Sequence, residues 1–285
     1  MNTNTKIIIA KIIFRVMFFF GIKKKVIVNR NLIKWKLDIS EGIDLSIFLF
    51  GSFQENLVRS INKYIFSHKK VQKNFFNIID IGSNIGDKSL SISSGLLSKD
   101  FKNFKVFSIE PTDYAYKKQI NNINLNPKLK KKIKSFRYFV SNSKIKPKNI
   151  YSSWSLDTNK DSHKIHKGIL KKVNKSTKTI SLDSFVKKNK IKDQIILKID
   201  VDGFEMNVLK SAAQTLIKKS PIIFMEYAPY SFYEYGSSTK EFYNFLEKYN
   251  YKIYDLNFNE LNKIKIINGS STDIVLIKKS NVIKV

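Results

Sequence analysis

Four apolar runs in this chain each end in a carboxylate: FNIID (Phe76–Asp80), KVFSIE (Lys105–Glu110), IILKID (Ile195–Asp200) and IIFME (Ile222–Glu226). The first is followed by GSNIG, which puts Gly82, Asn84 and Gly86 in a turn between a strand-like and a helix-like segment. Glycines there let backbone N–H groups come close to a ligand, and the start of a helix adds a positive dipole end. The spacing is Asp-x-Gly-x-x-x-Gly and not the GxGxxG of dinucleotide sites. An acid at Asp80 repels a pyrophosphate but suits a ligand with a positive amino group or sulfonium, which points to S-adenosylmethionine rather than NAD. Glu110 ends the second run twenty-four positions after Gly86, where a carboxylate in a βαβ unit accepts hydrogen bonds from ribose hydroxyls. The glycines alone fit an ordinary strand–loop–helix connection equally well. The row of acids adds to them, because ligands of open α/β sheets bind at the carboxyl ends of the strands.

The elements that must position these residues follow from periodicity. Strands are expected at Asn77–Ile81, Lys105–Ile109, Ser135–Val140, Gln194–Ile199, Ile222–Tyr227, Tyr251–Asp255 and Ser271–Ile277, with helices near Gly86–Leu97, Asp113–Asn124, Phe204–Lys218 and Thr239–Tyr249. The fold expected is α/β, a Rossmann-like, doubly wound and mostly parallel seven-stranded sheet. Residues 1–25 read as a helix, 26–70 as a cap of short strands and one helix (Phe53–Phe66), and 71–285 as the core. The connection from Ser141 to Ser181 is too long for a plain loop and carries Ser152, Ser153, Trp154, His163 and His166; insertions of this length usually carry function. There is no internal repeat or low-complexity linker, so no second domain is placed.

The segments Trp35–Gln54, Ile78–Ser89, Phe107–Asn126, Thr179–Phe185, Leu197–Ala212 (LKIDVDGFEMNVLKSA) and Pro221–Tyr227, in that order, resemble the FkbM-type S-adenosylmethionine-dependent methyltransferases. The Leu197 segment is the most specific part. Two departures stand out: Asp202 occupies a position where the family usually has Glu, and Gln54 stands where it usually has Glu, which removes a charge. The resemblance implies a class I methyltransferase fold, S-adenosyl-L-methionine as cofactor, and O-methylation of a sugar in a polysaccharide or of a secondary metabolite.

On that basis Asp80 is assigned to the amino-acid end of the cofactor and Glu110 to its ribose. Gly82, Asn84 and Gly86 close around it, and Ser141 and Asn142, at the end of the third strand, reach the adenine edge. The reaction needs an acceptor oxygen held in line with the methyl and a base for its proton. Asp200 is the best-placed acid, with Glu226 behind it; His163 or His166 is the alternative, since histidine titrates near neutrality. Asp200 and Asp202 also suit plain capping of the Phe204 helix.

Composition bounds the rest. With no cysteine and three histidines (His68, His163, His166), no disulfide, thiolate or histidine-rich metal site is expected. A divalent metal on Asp200 and Glu226 has no further support, and none is assigned. The formal charge is +29, but only four of the 52 basic residues are arginine (Arg15, Arg30, Arg59, Arg137), and the lysines are spread along the chain. Base-reading proteins favour arginine, so a solvated surface is expected rather than a specific nucleic-acid partner. The competing readings are a dinucleotide-dependent oxidoreductase and a non-catalytic or nucleic-acid-binding protein on the same fold. Within Lys6–Lys25, Lys11 and Arg15 interrupt the apolar run and lie four apart, while other faces are rich in Ile and Phe. An amphipathic helix lying on a membrane or packed on the domain fits this pattern, and no signal-peptide cleavage site follows it. The expected location is cytoplasmic, with peripheral membrane contact through residues 1–25, and the expected partner is a small-molecule or glycan acceptor.

Overall fold

The computed structural model describes residues 3–142, 146–152, 154–156, 162–164, 168–262, 264 and 271–281. Helix α1 (Thr3–Phe19) leads to a hairpin of β1 (Lys25–Arg30) and β2 (Ile33–Asp38). Its two turn residues, Asn31 and Leu32, both have positive φ, the backbone that matches strand twist in a two-residue turn. In β2, buried Ile33, Trp35 and Leu37 alternate with exposed Lys34 and Lys36, as a half-covered strand requires. Helices α2 (Gly42–Phe50), α3 (Glu55–Ser67) and α4 (Lys69–Lys73) follow.

The main sheet is built from β3 (Phe76–Ile81), β4 (Phe104–Ile109), β5 (Ile133–Phe136), β10 (Gln194–Ile199), β11 (Ile222–Tyr227), β12 (Tyr251–Tyr254), β13 (Glu260–Leu261) and β14 (Thr272–Lys278). Between β5 and β10 lie four three-residue strands outside it: β6 (Tyr138–Val140), β7 (Asn149–Tyr151), β8 (Leu170–Lys172) and β9 (Lys178–Ile180), paired β6 with β9 and β7 with β8. The spatial order of the main sheet is β13-β12-β14-β11-β10-β3-β4-β5. The pairs from β11 to β5 are parallel, and β14 runs antiparallel between β11 and β12. All seven expected strands contribute, with two-residue β13 as an eighth.

Period-two alternation decides where the acids go. On β3, Phe76, Ile78 and Asp80 share a face. Register puts Lys198 of β10 and Ser108 of β4 beside Asp80 on that face. Its apolar part forms one core with the N-terminal elements, joining Phe76, Ile78, Val106, Ile196 and Phe224 to Trp35, Ile61, Phe14 and Met17. The other face buries Ile79, Ile81, Leu197, Ile199 and Met225 against Phe185, Met206, Leu216 and Phe242. Asp80, Glu110, Asp200 and Glu226 therefore rise from the same side of the sheet at its carboxyl edge.

Three expectations are corrected. The third strand is not continuous over Ser135–Val140: it leaves the sheet at Arg137, and Tyr138–Val140 pairs with Lys178–Ile180 instead. Arg137 is the cause in view, because its guanidinium turns out to ion-pair with Asp113 and bond Ser176. The helix expected over Phe204–Lys218 is two helices, α9 (Glu205–Lys210) and α10 (Ala213–Lys219), which follow α8 (Leu182–Lys188) in the chain. The Ser211 carbonyl at the break accepts from the Asp183 amide at 3.0 Å, an oxygen that a continuous helix would use within itself. The N-terminal helix ends at Phe19, and β1 already begins at Lys25.

The open edge of β2 is closed by side chains near the end of helix α6 (Asp113–Asn124), which follows helix α5 (Asp87–Ser98). Asn126 accepts from the Lys34 amide at 2.9 Å and donates to the Lys34 carbonyl at 2.8 Å, while Asn122 accepts from the Lys36 amide at 2.8 Å. These amides stand in for a third strand and blunt the edge. Asn126→Ala should lower unfolding free energy by about 1–2 kcal/mol in urea titration, because it removes two hydrogen bonds to partly buried backbone groups of Lys34.

Candidate active site

The loop from Ile81 to Asp87 closes over the carboxyl ends of β3 and β4. The amides of Gly82 and Ser83 both donate to the Ile109 carbonyl at 3.0 Å, and Gly86 donates back to Ser83 at 2.8 Å. Gly82 has φ +76°, and a Cβ there would sit 1.8 Å from the Asp200 carbonyl oxygen. The glycine is thus required for close approach of the β3 loop and the β10 turn as well as for its backbone conformation.

Beneath the loop is a buried polar cluster. Lys198 is 2% exposed, and its ammonium donates to the Gly82 carbonyl at 2.9 Å and lies 3.1 Å from Asp80 and 3.6 Å from Asp200. Burial opposes its charge, but Asp80 and then Asp200 outweigh that and hold its pKa above the ordinary lysine value. Asp80 also accepts from Ser89 Oγ at 2.6 Å. Direct contact with a cofactor was expected for Asp80; it is fully buried behind the cavity lining, with Lys198 and Ser89 against its carboxylate.

Above this cluster lies a cavity of about 310 Å³, within the range of ligand sites. One wall holds Gly82, Asn84 and Glu110. Glu110 is buried and accepts from the Asn84 amide at 3.0 Å and from the Thr112 amide and hydroxyl at 2.9 and 2.6 Å. Burial raises its pKa, and these bonds act against the rise. Among the described residues no lysine or arginine ion-pairs with it, so its charge is held by dipoles beside an open space. The other wall holds Asp200, Asp202 and Glu226, each offering a carboxylate oxygen within 4.8 Å of the others. Such hard oxygen donors suit a divalent cation of the magnesium or calcium type. Burial pushes the carboxyls of Asp202 and Glu226 well above their usual range, and the charge of Asp200 adds to this. Ser271 donates to Glu226 at 2.6 Å. The turn itself is held by Glu205, which accepts from the amides of Val201 and Gly203. The following helix α9 has Phe204 at its N-cap and no side-chain capping bond, so neither Asp200 nor Asp202 caps it.

Other expectations separate here. Tyr138, Phe139 and Val140 line the cavity, whereas Ser141 is buried outside the lining and Asn142 is exposed, so neither is placed at an adenine edge. The cause is the strand break at Arg137. His163 is not in the lining itself but packs edgewise on Tyr151, which is, and its Nε2 pairs with Glu234 at 2.8 Å. His166 and Ser153 lie outside the described residues. Gln54, with φ +49°, does line the cavity, and its Oε1 is buried with no hydrogen-bond partner among the described residues.

Sequence reasoning missed Lys198, Lys88 and Thr112. A lysine inside the otherwise apolar run IILKID was the available signal for Lys198, since such a residue must find a buried acid. Lys88 is buried, ion-paired with Asp87, and donates to the Phe53 carbonyl at 2.6 Å at the cavity wall; it marks the joint between cap and loop. Thr112 follows Glu110-Pro111 and is the N-cap of the next helix, its hydroxyl accepting from the Ala115 amide; a Thr just before the first helical residue was the available signal.

The methyltransferase FkbM domain model matches residues 80–253. No curated protein sequence matches the chain. Solved structures similar to it include the methyltransferase FkbM from Methylobacillus flagellatus KT, at 15% identity and TM-score 0.43, covering 82% of this chain and 59% of that one. They also include a precorrin-6y C5,15-methyltransferase from Geobacter metallireducens GS-15, at 11% identity and TM-score 0.42, covering 79% and 88%. A third is the magnesium protoporphyrin IX methyltransferase from Synechocystis PCC 6803 with bound SAH, at 6% identity and TM-score 0.40, covering 78% and 82%.

Two outcomes test the electrostatics described. Gly82→Ala should destabilise the fold by about 2 kcal/mol or more in denaturant titration, because both φ and space forbid it. Asp273, opposite Glu226 on β14, has a pKa raised to about 6 by burial and then by Asp200. A raised carboxyl binds more protons folded than unfolded, so stability falls as pH climbs from near 4 through 6. Thermal unfolding of Asp273→Asn should therefore show a shallower loss of midpoint between acidic and neutral pH than wild type.

Proposed function

The chain belongs to the FkbM family of S-adenosylmethionine-dependent methyltransferases, and from that premise we propose that it methylates a hydroxyl group, on a sugar of a polysaccharide or on a secondary metabolite. The observation that carries this reading is the pairing of walls in one cavity: a dipole-held Glu110 on one side, and the Asp200, Asp202 and Glu226 carboxylates on the other.

The residues present fit the cofactor. Glu110 lines the cavity with acceptor capacity beyond its bonds to Asn84 and Thr112 and suits a ribose diol, and the Gly82–Asn84 backbone suits close approach to a ligand, while Gly86 packs against Gln119. Asp80 acts through Lys198, fixing the loop rather than touching the ligand. Bound S-adenosylmethionine supplies an electrophilic methyl on a sulfonium. The chain must then hold the acceptor oxygen in line with it and take its proton. In this reading Asp200 receives the acceptor hydroxyl, with Glu226 beside it. Phe139, Phe204 and Trp154 supply apolar wall and keep water out. The outer face of α1 is read as a peripheral contact with a membrane surface.

Glu110→Gln should weaken S-adenosylmethionine binding by at least about tenfold in calorimetric titration, through loss of charge-assisted bonds. Unchanged affinity would remove Glu110 from the cofactor site. Asp200→Asn should reduce methyl transfer by at least about 10²-fold while cofactor affinity stays near wild type. Loss of cofactor binding in that variant would assign Asp200 to the cofactor site or the fold. In this reading Glu226 assists Asp200, and burial holds its carboxyl well above the ordinary carboxylate range, so turnover should rise with pH above that range as Glu226 loses its proton. Glu226→Gln should flatten that rise; an identical profile would exclude Glu226 from the titrating set.

A further inference from the structure

Helix α1 is apolar on two opposite sides, and the protein covers only one of them. Ala10, Ile13, Phe14 and Met17 pack inward, with Phe14 and Met17 buried in the core. At about 100° per residue, Ile8, Ile12 and Phe19 fall on the opposite side, with Val16 beside them. They are 59%, 57%, 83% and 50% exposed, and Phe20 continues the surface. A helix that is apolar all round belongs in a core or a lipid phase. This one is too short to span a bilayer, and among the described residues no helix is long and apolar enough to cross one. Charge names the occupant of the open side. Arg15 lies among the exposed apolar residues, and Lys23 and Lys25 follow, all three exposed. Apolar residues bordered by cations on long stems match the interface of an anionic bilayer, where the stems lie along lipid and the charges meet headgroups. A second copy of this chain, itself strongly basic, would face those cations with like charge.

The same helix belongs to the cavity. Ile7 of α1, Ile43 at the start of α2, and Trp154 line it together with Asp200 and Glu226. Trp154 is tied to α2: its carbonyl accepts from the Gly42 amide at 3.0 Å, and its ring occupies the space a Cβ on Gly42 would need. Ile7 lies on the inward side of α1, about 140° round the helix from Ile12, so with α1 seated on lipid the apolar side of the cavity stands about one helix diameter, roughly 10 Å, from the bilayer surface. We propose that the acceptor is a membrane-borne amphiphile whose hydroxylated head group enters past Ile7, Ile43 and Trp154 while its apolar portion stays in the lipid. This rests on the methyl-transfer reading above.

The test uses the full chain with vesicles of phosphatidylcholine and phosphatidylglycerol, against phosphatidylcholine alone. Wild type should sediment with the anionic vesicles, and added salt should weaken it. The Ile12→Glu/Phe19→Glu variant changes only exposed side chains and should lose at least about tenfold in affinity. Its circular dichroism and calorimetric binding of S-adenosylmethionine should match wild type. Brominated lipid in the vesicles should quench Trp154 but not buried Trp35, so quenching should vanish in Trp154→Phe. Wild type left in the supernatant would overturn the membrane contact, as would lipid-independent self-association that the double variant abolishes. Sedimentation without quenching of Trp154 would overturn the membrane-borne acceptor. Failure of wild type to bind S-adenosylmethionine would instead strike the methyl-transfer reading itself.

Discussion

The site hangs on one buried ammonium. Lys198 sits in the middle of the sheet and joins Asp80 at the end of β3, the Gly82 carbonyl in the loop, and Asp200 at the start of the next turn. A charge so deep is tolerated only when its partners are fixed, and removing one partner from such a pair typically costs about 3–5 kcal/mol. The constraint therefore acts in both directions. The cluster needs the loop in place, and the loop needs the cluster. The absence of a Cβ on Gly82 lets the Asp200 backbone lie directly against it, so the glycine wall and the acidic wall of the cavity are set at a fixed separation.

The charge of the molecule is arranged in two layers. Over the whole chain 52 basic residues stand against 23 acidic ones, and most of the excess lies outside. At the carboxyl edge of the sheet the balance inverts, and Glu110, Asp200, Asp202, Glu226 and Asp273 crowd around a few buried lysines. The surface field attracts anions over a Debye length of roughly 10 Å. Inside, low polarity and short distance dominate, and the carboxyls of Glu110, Asp202, Glu226 and Asp273 are pushed upward in pKa despite the net positive chain. A neutral hydroxyl with a proton to give is well matched to that inner layer, and a lipid headgroup to the outer one.

Much of the sheet was legible because its strands are buried on both faces and read as continuous apolar runs ended by an acid. The acids were legible for the same reason, since an acid closing such a run must emerge at the sheet edge. What the runs do not encode is which acids are free. Asp80 and Glu110 look alike in sequence, but a lysine one strand away occupies the first and leaves the second to the cavity. The third strand was overextended because Phe136, Tyr138 and Val140 keep the alternation going, whereas Arg137 turns the chain out of the sheet. That slip displaced Ser141 and Asn142. The long insertion was opaque: its three-residue strands carry too little periodicity to be seen, and the pairing of His163 with Glu234, distant in sequence, has no local signal.

The most direct test of the central claim is a double-mutant cycle on Lys198 and Asp80. Unfolding free energies would be measured by urea titration for wild type, Lys198→Met, Asp80→Asn and the double variant. If the buried ammonium organises the site, each single change should destabilise strongly and the double should recover part of the loss, giving a coupling energy of at least about 2 kcal/mol. Additive effects, with coupling near zero, would contradict the account.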